Sequence, residues 1–412
     1  MNRGRDRRTR TARAGAVAGQ AARIIRTDGV GELGARLVRR ATRRLDARPT
    51  LLPVFPDDLL ADPVPERPRP VPSGPLTVNW VMTPPSPGSG GHTTIFRVLH
   101  QVEALGHTCN VLLYDRYLGN VDRHREVVDR HFGGVTGTIV DARRSAPTAD
   151  AVVATSWDTA YPVVRTPRQG RRIYFVQDFE PWFHASGSLS ILAENTYRMG
   201  MRGVTVGPWL AGKLRDEFGM ACDHIPFGHD PDVYRLLPPR PRDAVGFFAR
   251  PSVPRRGFEL GVLALQHFAD RHPDVPIHVF GARVAGLPFR HVAHGLLSPD
   301  GLNELYNGCA AVLVLSMSNV SLVPLEVLAA GAIPVMNDAD HSRAPLDSPH
   351  VVYAEPEPRA LAAALGDVVG RRATAAPQAV ADSTRAHRWD GAGATFVDAI
   401  RRDRPRWVEE VS

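Results

Sequence analysis

The chain has 412 residues, 43% of them apolar and 7% aromatic, and its net charge is +7. Its apolar stretches, such as residues 310–315, are far shorter than the roughly 18 residues of a membrane-spanning helix. Cys109, Cys222 and Cys309 lie far apart and form no zinc-ligand pattern. We therefore expect no transmembrane span, no structural zinc site and three buried thiols in a reducing compartment.

The positive charge lies in the first fifty residues, which carry fourteen arginines and four acidic residues; the other 362 residues sum to −3. Leu33, Leu37, Ala41 and Leu45 fall four apart among these arginines, which predicts a helical tail over residues 1–47. Such a helix could lie on anionic lipid at the inner face of a membrane, or it could simply be solvated. Nucleic-acid binding is not expected, because the remaining chain offers no matching basic and aromatic surface.

The same tail bears on the location of the protein. A secretory signal needs an uninterrupted apolar core, but residues 14–26 are broken by Gln20 and Arg23. We therefore expect a cytoplasmic protein.

Residues 48–75 are rich in proline, which removes backbone donors and favours an extended linker or a strap over the surface. A first domain follows over residues 76–235. Within it, buried-strand patterns such as residues 76–82 and 109–115 alternate with helical patterns. This alternation predicts a parallel sheet covered by helices on both faces.

A second series of strands and helices occupies residues 243–375, after a stretch rich in proline and charge that is typical of an interdomain linker. Residues 376–412 are expected to form a C-terminal helix that crosses back to the first domain. The predicted fold class is α/β, with two doubly wound Rossmann-like domains facing each other across a cleft. Ligands of such sheets bind at the carboxyl ends of the strands.

A glycine-rich loop joins the first strand to its helix. Gly88, Gly90 and Gly91 allow the backbone to approach a ligand closely at the positive end of that helix, and His92 follows them. The loop could cradle a phosphate, admit an acceptor or be a purely structural turn. It does not match the dinucleotide fingerprint G-x-G-x-x-G, so a nicotinamide cofactor is not expected.

Arg250 and Arg256 flank a loop at the end of the second domain's first strand. Two guanidiniums that converge at the carboxyl edge of a sheet suit a pyrophosphate, whose charge they neutralise. Because the chain is rich in arginine, two ordinary surface residues are the alternative.

Glu326 is the one charged residue in the apolar stretch 318–335. A helix is predicted from Leu322, with Pro324 in its first turn and Gly331 after its end. The free amides of Ser321, Leu322 and Val323 would then form an anion site. Glu326 either gains from the helix dipole or accepts hydrogen bonds from vicinal hydroxyls.

The segment "HGLLSPDGLNELYNGCAAVLVLSMSNVSLVPLEVLAAGAIPV" and the earlier "ARPSVPRRGFEL" resemble the donor-binding half of the retaining GT-B glycosyltransferases of family 4. The likeness extends from Leu76 to about Arg401. In that family two glutamates eight positions apart close on the donor, the first near the transferred sugar and the second on the ribose. Glu326 matches the second, whereas Ser318 stands at the first.

This resemblance implies a set of donor-binding residues. Arg250 and Arg256 would hold the diphosphate, assisted by backbone amides, and Glu326 would hold the ribose. The implied donor-binding set is Arg250, Arg256, Gly295, Ser318, Ser321, Leu322, Val323 and Glu326. Gly90, Gly91 and His92 are the candidate acceptor or phosphate loop, as argued from the residues above.

In two features the sequence resembles a narrower group of bacterial rhamnosyltransferases: the sugar-side acid is replaced by Ser318, and residues 174–183 read "YFVQDFEPWF". That group transfers L-rhamnose from dTDP-L-rhamnose to surface polysaccharides. The resemblance therefore implies a dTDP-L-rhamnose donor and a glycan or lipid-linked acceptor.

Asp178 and Glu180 follow a strand of the first domain and are the candidate catalytic residues. Asp178 could accept the acceptor's proton or stabilise positive charge on the anomeric carbon. Both carboxylates could equally cap the following turn. Trp182 beside Phe183 is a possible sugar platform, and Trp157 with Asp158 is a second candidate in the cleft.

No metal or other cofactor is expected, because Arg250 and Arg256 would already neutralise the charge of the diphosphate. The D-x-D triplets at residues 230–232 and 338–340 are attributed to chance among 43 acidic residues. His341 could also approach the cleft. Two other functions remain open from the sequence: a sugar-nucleotide epimerase or hydrolase of the same fold, and a non-catalytic nucleotide-binding scaffold.

Overall fold

The computed structural model describes residues 52–66, 70–144, 146–165, 170–346, 348–371 and 376–402. The basic tail predicted for residues 1–47 lies outside these ranges. In the described part of the chain, no helix has the length and hydrophobicity needed to cross a membrane.

The first sheet contains seven strands, each paired in parallel with its neighbours. They are β1 (Thr77–Met82), β2 (Thr108–Leu113), β3 (Ile139–Asp141), β4 (Ala151–Ala154), β5 (Arg171–Val176), β6 (Arg202–Val206) and β7 (Cys222–Ile225). The spatial order is β3-β2-β1-β4-β5-β6-β7. The accompanying helices are α1 (Pro56–Leu60), α2 (Gly90–Ala104), α3 (Val121–Phe132), α4 (Trp157–Arg165), α5 (Ser188–Asn195) and α6 (Pro208–Phe218).

The second sheet contains six parallel strands. They are β8 (Ala244–Phe248), β9 (Ile277–Phe280), β10 (Val292–Gly295), β11 (Cys309–Leu313), β12 (Ile333–Asn337) and β13 (Val352–Ala354), in the order β10-β9-β8-β11-β12-β13. The later helices are α7 (Phe258–Arg271), α8 (Pro299–Gly308), α9 (Val323–Ala329), α10 (Asp340–Arg343), α11 (Pro358–Gly370), α12 (Pro377–Asp382) and α13 (Ala392–Arg401). The predicted α/β class with two doubly wound sheets is confirmed.

The central strands are buried along most of their length, which explains why they read as continuous apolar runs. Helix α13, at the end of the described chain, packs on the first sheet. Phe396 stacks on Trp80 of β1 with ring centroids 4.8 Å apart. Gly393 permits this approach, because a Cβ there would lie 2.6 Å from the Cβ of Gln101. The chain therefore returns to the first domain after completing the second.

The strap before β1 is also anchored on the first domain. Val54 is fully buried, the backbone N–H of Phe55 donates to the Tyr114 hydroxyl at 2.9 Å, and that hydroxyl donates to Asp58 at 2.6 Å. Residues 56–60 form the short helix α1 within this proline-rich segment.

Each sheet reverses its strand order once, between β1 and β4 in the first and between β8 and β11 in the second. Open parallel sheets bind their ligands in the crevice at such a reversal, outside the carboxyl ends of the strands. The glycine loop follows β1, and residues 249–257 and 314–322 follow β8 and β11. The topology thus brings the loops singled out by sequence to the two crevices.

Candidate functional site

The two carboxyl edges meet at Asp178, which follows β5 and is 7% exposed. The Ser318 hydroxyl, from the loop after β11, donates to its Oδ2 at 3.0 Å, and the backbone N–H of Asn319 donates to its Oδ1 at 2.8 Å. Arg255 lies 3.5 Å from the same carboxylate. A carboxylate of the first domain is therefore held by three residues of the second.

Asn319 fastens the same loop to the backbone of the first domain. Its side-chain amide donates to the carbonyl of Gln177 at 2.9 Å and to that of Val206 at 3.3 Å. These acceptors lie at the ends of β5 and β6. Because Asn319 and Asp178 are buried, the contact is shielded from water, which strengthens its hydrogen bonds.

Arg250, Arg255 and Arg256 lie within electrostatic range of one another after β8. Burial is the main cause that lowers the pKa of Arg256 to about 10; Asp178 opposes this effect, whereas Arg255 and Arg250 add to it. Arg256 donates to the Ser316 hydroxyl at 2.6 Å. Three neighbouring cations at the strand reversal form a positive site suited to an anionic ligand.

Arg255 is a site residue that the sequence reasoning did not select. Its guanidinium lies 3.8 Å from the centroid of the Phe183 ring and pairs with Asp178. Gly257 takes the left-handed conformation after the short 3-10 turn Pro254–Arg256. The two adjacent arginines consequently serve different partners. In the sequence, the pair Arg255–Arg256 directly before Gly257 could have indicated that both arginines belong to the site.

The loop before α9 carries polar groups without partners. The Ser321 hydroxyl oxygen is buried and makes no hydrogen bond within the described residues. No described residue accepts a hydrogen bond from the backbone amides of Ser321 and Leu322. Buried polar groups are normally paired, so unpaired ones grouped at a strand end are compatible with a ligand site. Helix α9 begins at Val323, close to the predicted start.

Glu326 on α9 lies between the two domains. Tyr306 donates to its carboxylate at 3.4 Å, and Arg97 of α2 in the first domain is close enough to favour its charged form. Burial outweighs these partners and raises the pKa of Glu326 to about 7. One terminal nitrogen of Arg97 is buried without a hydrogen-bond partner among the described residues. Both side chains can therefore still make further hydrogen bonds.

Glu180 occupies a different environment from Asp178. Its carboxyl group accepts from the backbone N–H of Trp157 at 2.5 Å and is 3% exposed. Burial, reinforced by the nearby Asp158 and Asp178, raises the pKa of Glu180 well above its usual value. Asp158 is half-buried and accepts from the Ser156 hydroxyl, and desolvation raises its pKa. Glu180 and Asp158 are thus engaged within the first domain.

The glycine loop lies beside Asp178. A Cβ on Gly91 would lie 3.8 Å from the side chain of Gln177, the residue before Asp178. Helix α2 begins at Gly90 with Ser89 as its cap. Both nitrogens of His92 are engaged, Nδ1 with the Ser89 hydroxyl at 2.8 Å and Nε2 with the Thr83 carbonyl at 3.0 Å. His92 therefore ties the loop to the end of β1.

Gly295 ends β10 at the same carboxyl edge, with a φ of +69° that favours glycine. A Cβ there would also lie 3.0 Å from the side chain of Arg283. Asp338 of one D-x-D triplet is paired with Arg343 at 2.7 Å. Among the residues that the structure describes, no group of three His, Cys, Asp or Glu side chains could hold a metal ion.

A cavity of about 1350 Å³ lies elsewhere, lined mainly by the linker before β8 and by α12, and including His229, Arg240 and Arg388. It borders the amino end of β8. At its other side Tyr234, which also lines the cavity, lies close to Glu326.

Residues 243–366 match the family model described as WsaF, C-terminal domain. Over 237 residues, or 55% of this chain, the sequence is 35% identical to the O-antigen biosynthesis protein RfbC of Myxococcus xanthus. The matched chain spans 18% of the length of that relative.

Solved structures resemble the whole two-domain body. Alr3699/HepE of Anabaena, solved in complex with UDP-glucose, is similar with a TM-score of 0.58 at 14% identity, covering 79% of this chain and 99% of that one. WaaG, a glycosyltransferase involved in lipopolysaccharide biosynthesis, gives a TM-score of 0.57 at 12% identity, covering 79% and 100%. The chain has the GT-B fold. This confirms the architecture implied by the sequence resemblance.

Proposed function

We propose that this chain is a retaining glycosyltransferase that moves a sugar from a nucleoside diphosphate to a growing bacterial surface glycan. The observation that carries the proposal is the contact between Asp178, at the carboxyl edge of the first sheet, and Ser318, at the strand reversal of the second. A positive cluster and unpaired amides lie on the second-domain side of that contact. The match to an O-antigen biosynthesis protein supports a polysaccharide product.

The donor is proposed to bind the second domain. Arg250 and Arg256 would neutralise the diphosphate, with Arg255 between them, and the free amides and hydroxyl of Ser321 would donate to its oxygens. Glu326 would accept hydrogen bonds from the pentose hydroxyls. The proposed donor is dTDP-L-rhamnose, because of the sequence resemblance. The structurally similar Alr3699/HepE was solved with UDP-glucose, so the test below must also determine whether the chain prefers thymine or uracil.

Transfer would proceed with the acceptor on the first domain, near the glycine loop. The bond between the anomeric carbon and the diphosphate oxygen breaks, and its electron pair leaves with the diphosphate. The acceptor oxygen bonds to the same face of that carbon, and its proton passes to the departing diphosphate. The Asp178 carboxylate accepts from the Phe179 N–H, the Ser318 hydroxyl and the Asn319 N–H. Because its oxygens are engaged in this way, we assign it to stabilising positive charge on the anomeric carbon rather than to proton abstraction.

Glu180 is proposed to position this site without touching the substrate. Its carboxyl group accepts the bond from the Trp157 N–H and so links the start of α4 to the turn after β5. The basic tail of residues 1–47 is proposed to hold the enzyme at an anionic membrane face, near a lipid-linked acceptor.

Release of nucleoside diphosphate from a panel of nucleotide sugars tests this function. We expect the purified chain to release dTDP from dTDP-L-rhamnose, faster when polysaccharide acceptor is added, and at the same rate in the presence of EDTA. Preference for uridine or guanosine donors would contradict the rhamnosyl assignment while sparing glycosyl transfer. Turnover independent of acceptor would favour an epimerase or hydrolase, and binding without release would favour a scaffold. Loss of turnover with EDTA, restored by a divalent cation, would refute the metal-free mechanism.

A further inference from the structure

Three aromatic rings meet where the carboxyl edges of the two sheets face each other. Trp182, in the 3-10 turn Glu180–Phe183, has ring-centroid distances of 6.0 Å to Trp209 and 5.8 Å to His341. Trp209 and His341 are 5.7 Å apart. Each residue follows the carboxyl end of a strand: β5, β6 or β12. We call these three residues the aromatic platform.

The aromatic platform is built from both domains. Trp182 and Trp209 belong to the first, whereas His341 lies on α10 of the second. His341 Nε2 is 2.9 Å from the Ser316 carbonyl, and the Ser316 hydroxyl accepts from Arg256. These contacts link the platform to the proposed diphosphate site. Trp182 also lies only four residues after Asp178 in the chain.

Trp182 is not packed as a core residue. Its side chain is 41% exposed, although neighbouring aromatic residues such as Phe179 are buried. The Lys213 ammonium lies 5.2 Å from its ring centroid and so covers one face. Phe179, Trp209 and His341 also lie against the ring, so the exposed area is what these neighbours and Lys213 leave uncovered. Leaving this much indole surface in water loses the favourable free energy of burying it. Partly exposed aromatic side chains are typical of binding surfaces.

We propose that the aromatic platform is an acceptor subsite that stacks the apolar face of a pyranose ring of the glycan. Sugar C–H groups carry partial positive charge and suit the negative face of an indole ring. This inference rests on the proposed function. Because two of the three rings lie on the domain opposite the nucleotide loops, the platform suits the acceptor better than the donor base. His341 completes the subsite from the second domain, so acceptor binding would favour the closed arrangement of the two domains.

Saturation-transfer NMR with methyl α-L-rhamnopyranoside and methyl β-D-glucopyranoside tests the subsite without requiring turnover. We expect saturation of ring protons in the unaltered chain, a threefold to tenfold weaker affinity in Trp182→Ala, and near-complete retention in Trp182→Phe. Leu105→Ala removes a comparably exposed apolar side chain after α2, away from the cleft, and should change nothing.

Affinity for dTDP and UDP, measured by calorimetry on the same variants, separates the two possible ligands. We expect it to be unchanged in Trp182→Ala. Weaker nucleotide binding in that variant would assign the platform to the nucleobase and overturn the proposal. Absence of saturation in the unaltered chain, or equal saturation in Trp182→Ala, would also overturn it. Glycoside binding that persists although no donor is turned over would leave the subsite standing and refute the transferase function.

Discussion

Replacing Asp178 with alanine is expected to lower turnover of the nucleotide-sugar donor at least about 100-fold. The variant loses the carboxylate that reaches the Ser318 loop from the opposite domain, where two hydrogen bonds and Arg255 hold it. Charge that develops on the anomeric carbon would then lack its anionic partner. The measurement is release of nucleoside diphosphate under saturating donor, with thermal unfolding to verify that the variant is folded.

Two further variants separate a chemical role from a purely structural one. Exchanging the side chains in Asp178→Ser with Ser318→Asp moves the carboxylate across the same 3.0 Å contact. It should recover at least tenfold over Asp178→Ala, because the negative charge returns to nearly the same place. Glu180→Gln should change turnover by less than threefold, since the side-chain oxygen of glutamine can still accept the hydrogen bond from the Trp157 N–H. Full activity in Asp178→Ala, or a greater loss in Glu180→Gln, would contradict this assignment.

Replacing Glu326 with glutamine is expected to weaken donor binding by about 1.5–3 kcal/mol, the cost of losing hydrogen bonds to a charged group. That corresponds to roughly a tenfold to 150-fold rise in the dissociation constant. Calorimetric titration of the unaltered chain and the variant with nucleoside diphosphate at pH 8 measures it. Equal affinities would return Glu326 to a role in stabilising α9 alone.

The same substitution should increase the stability of the ligand-free protein at high pH. Burial raises the pKa of Glu326 from 4.5 to about 7, so the folded state binds its proton more tightly than the unfolded state. Stability from the neutral carboxyl is therefore complete below pH 4.5 and is lost as the pH rises through 7. Denaturant titrations at pH 8 should show Glu326→Gln more stable by up to about 3 kcal/mol, with little difference at pH 4.5. Equal stability at pH 8 would contradict a raised pKa of Glu326 in the folded protein.

The alternation of strands and helices was sufficient to predict the two sheets, because fully buried parallel strands have a recognisable apolar pattern. Shorter elements escaped this reasoning. Strand β3 has three residues, and β7 carries Asp223 and His224 in the middle of its sequence. Helix α1 falls within a proline-rich segment whose composition indicated an extended linker. Tertiary packing, rather than local pattern, determines these elements.

The positions of the candidate loops could also be predicted, since parallel strands deliver their following loops to one edge. The pairings between loops could not. Asp178 and Ser318 are 140 residues apart, and nothing in either local sequence specifies their contact. Asp178 and Glu180 would share one face of a continuing strand, but the chain turns after Phe179 and directs Glu180 toward Trp157. Side-chain partners across the domain interface therefore required the three-dimensional structure.

Hydrogen–deuterium exchange with and without nucleoside diphosphate tests most directly whether the donor binds where the second sheet reverses its strand order. We predict that dTDP or UDP slows exchange in residues 249–257 and 316–326, which carry the three arginines, the unpaired amides and Glu326. Residues 236–243, the part of the linker cavity next to the amino end of β8, should show no change. Protection confined to that cavity, or none in either loop at saturating nucleotide, would contradict the proposed site.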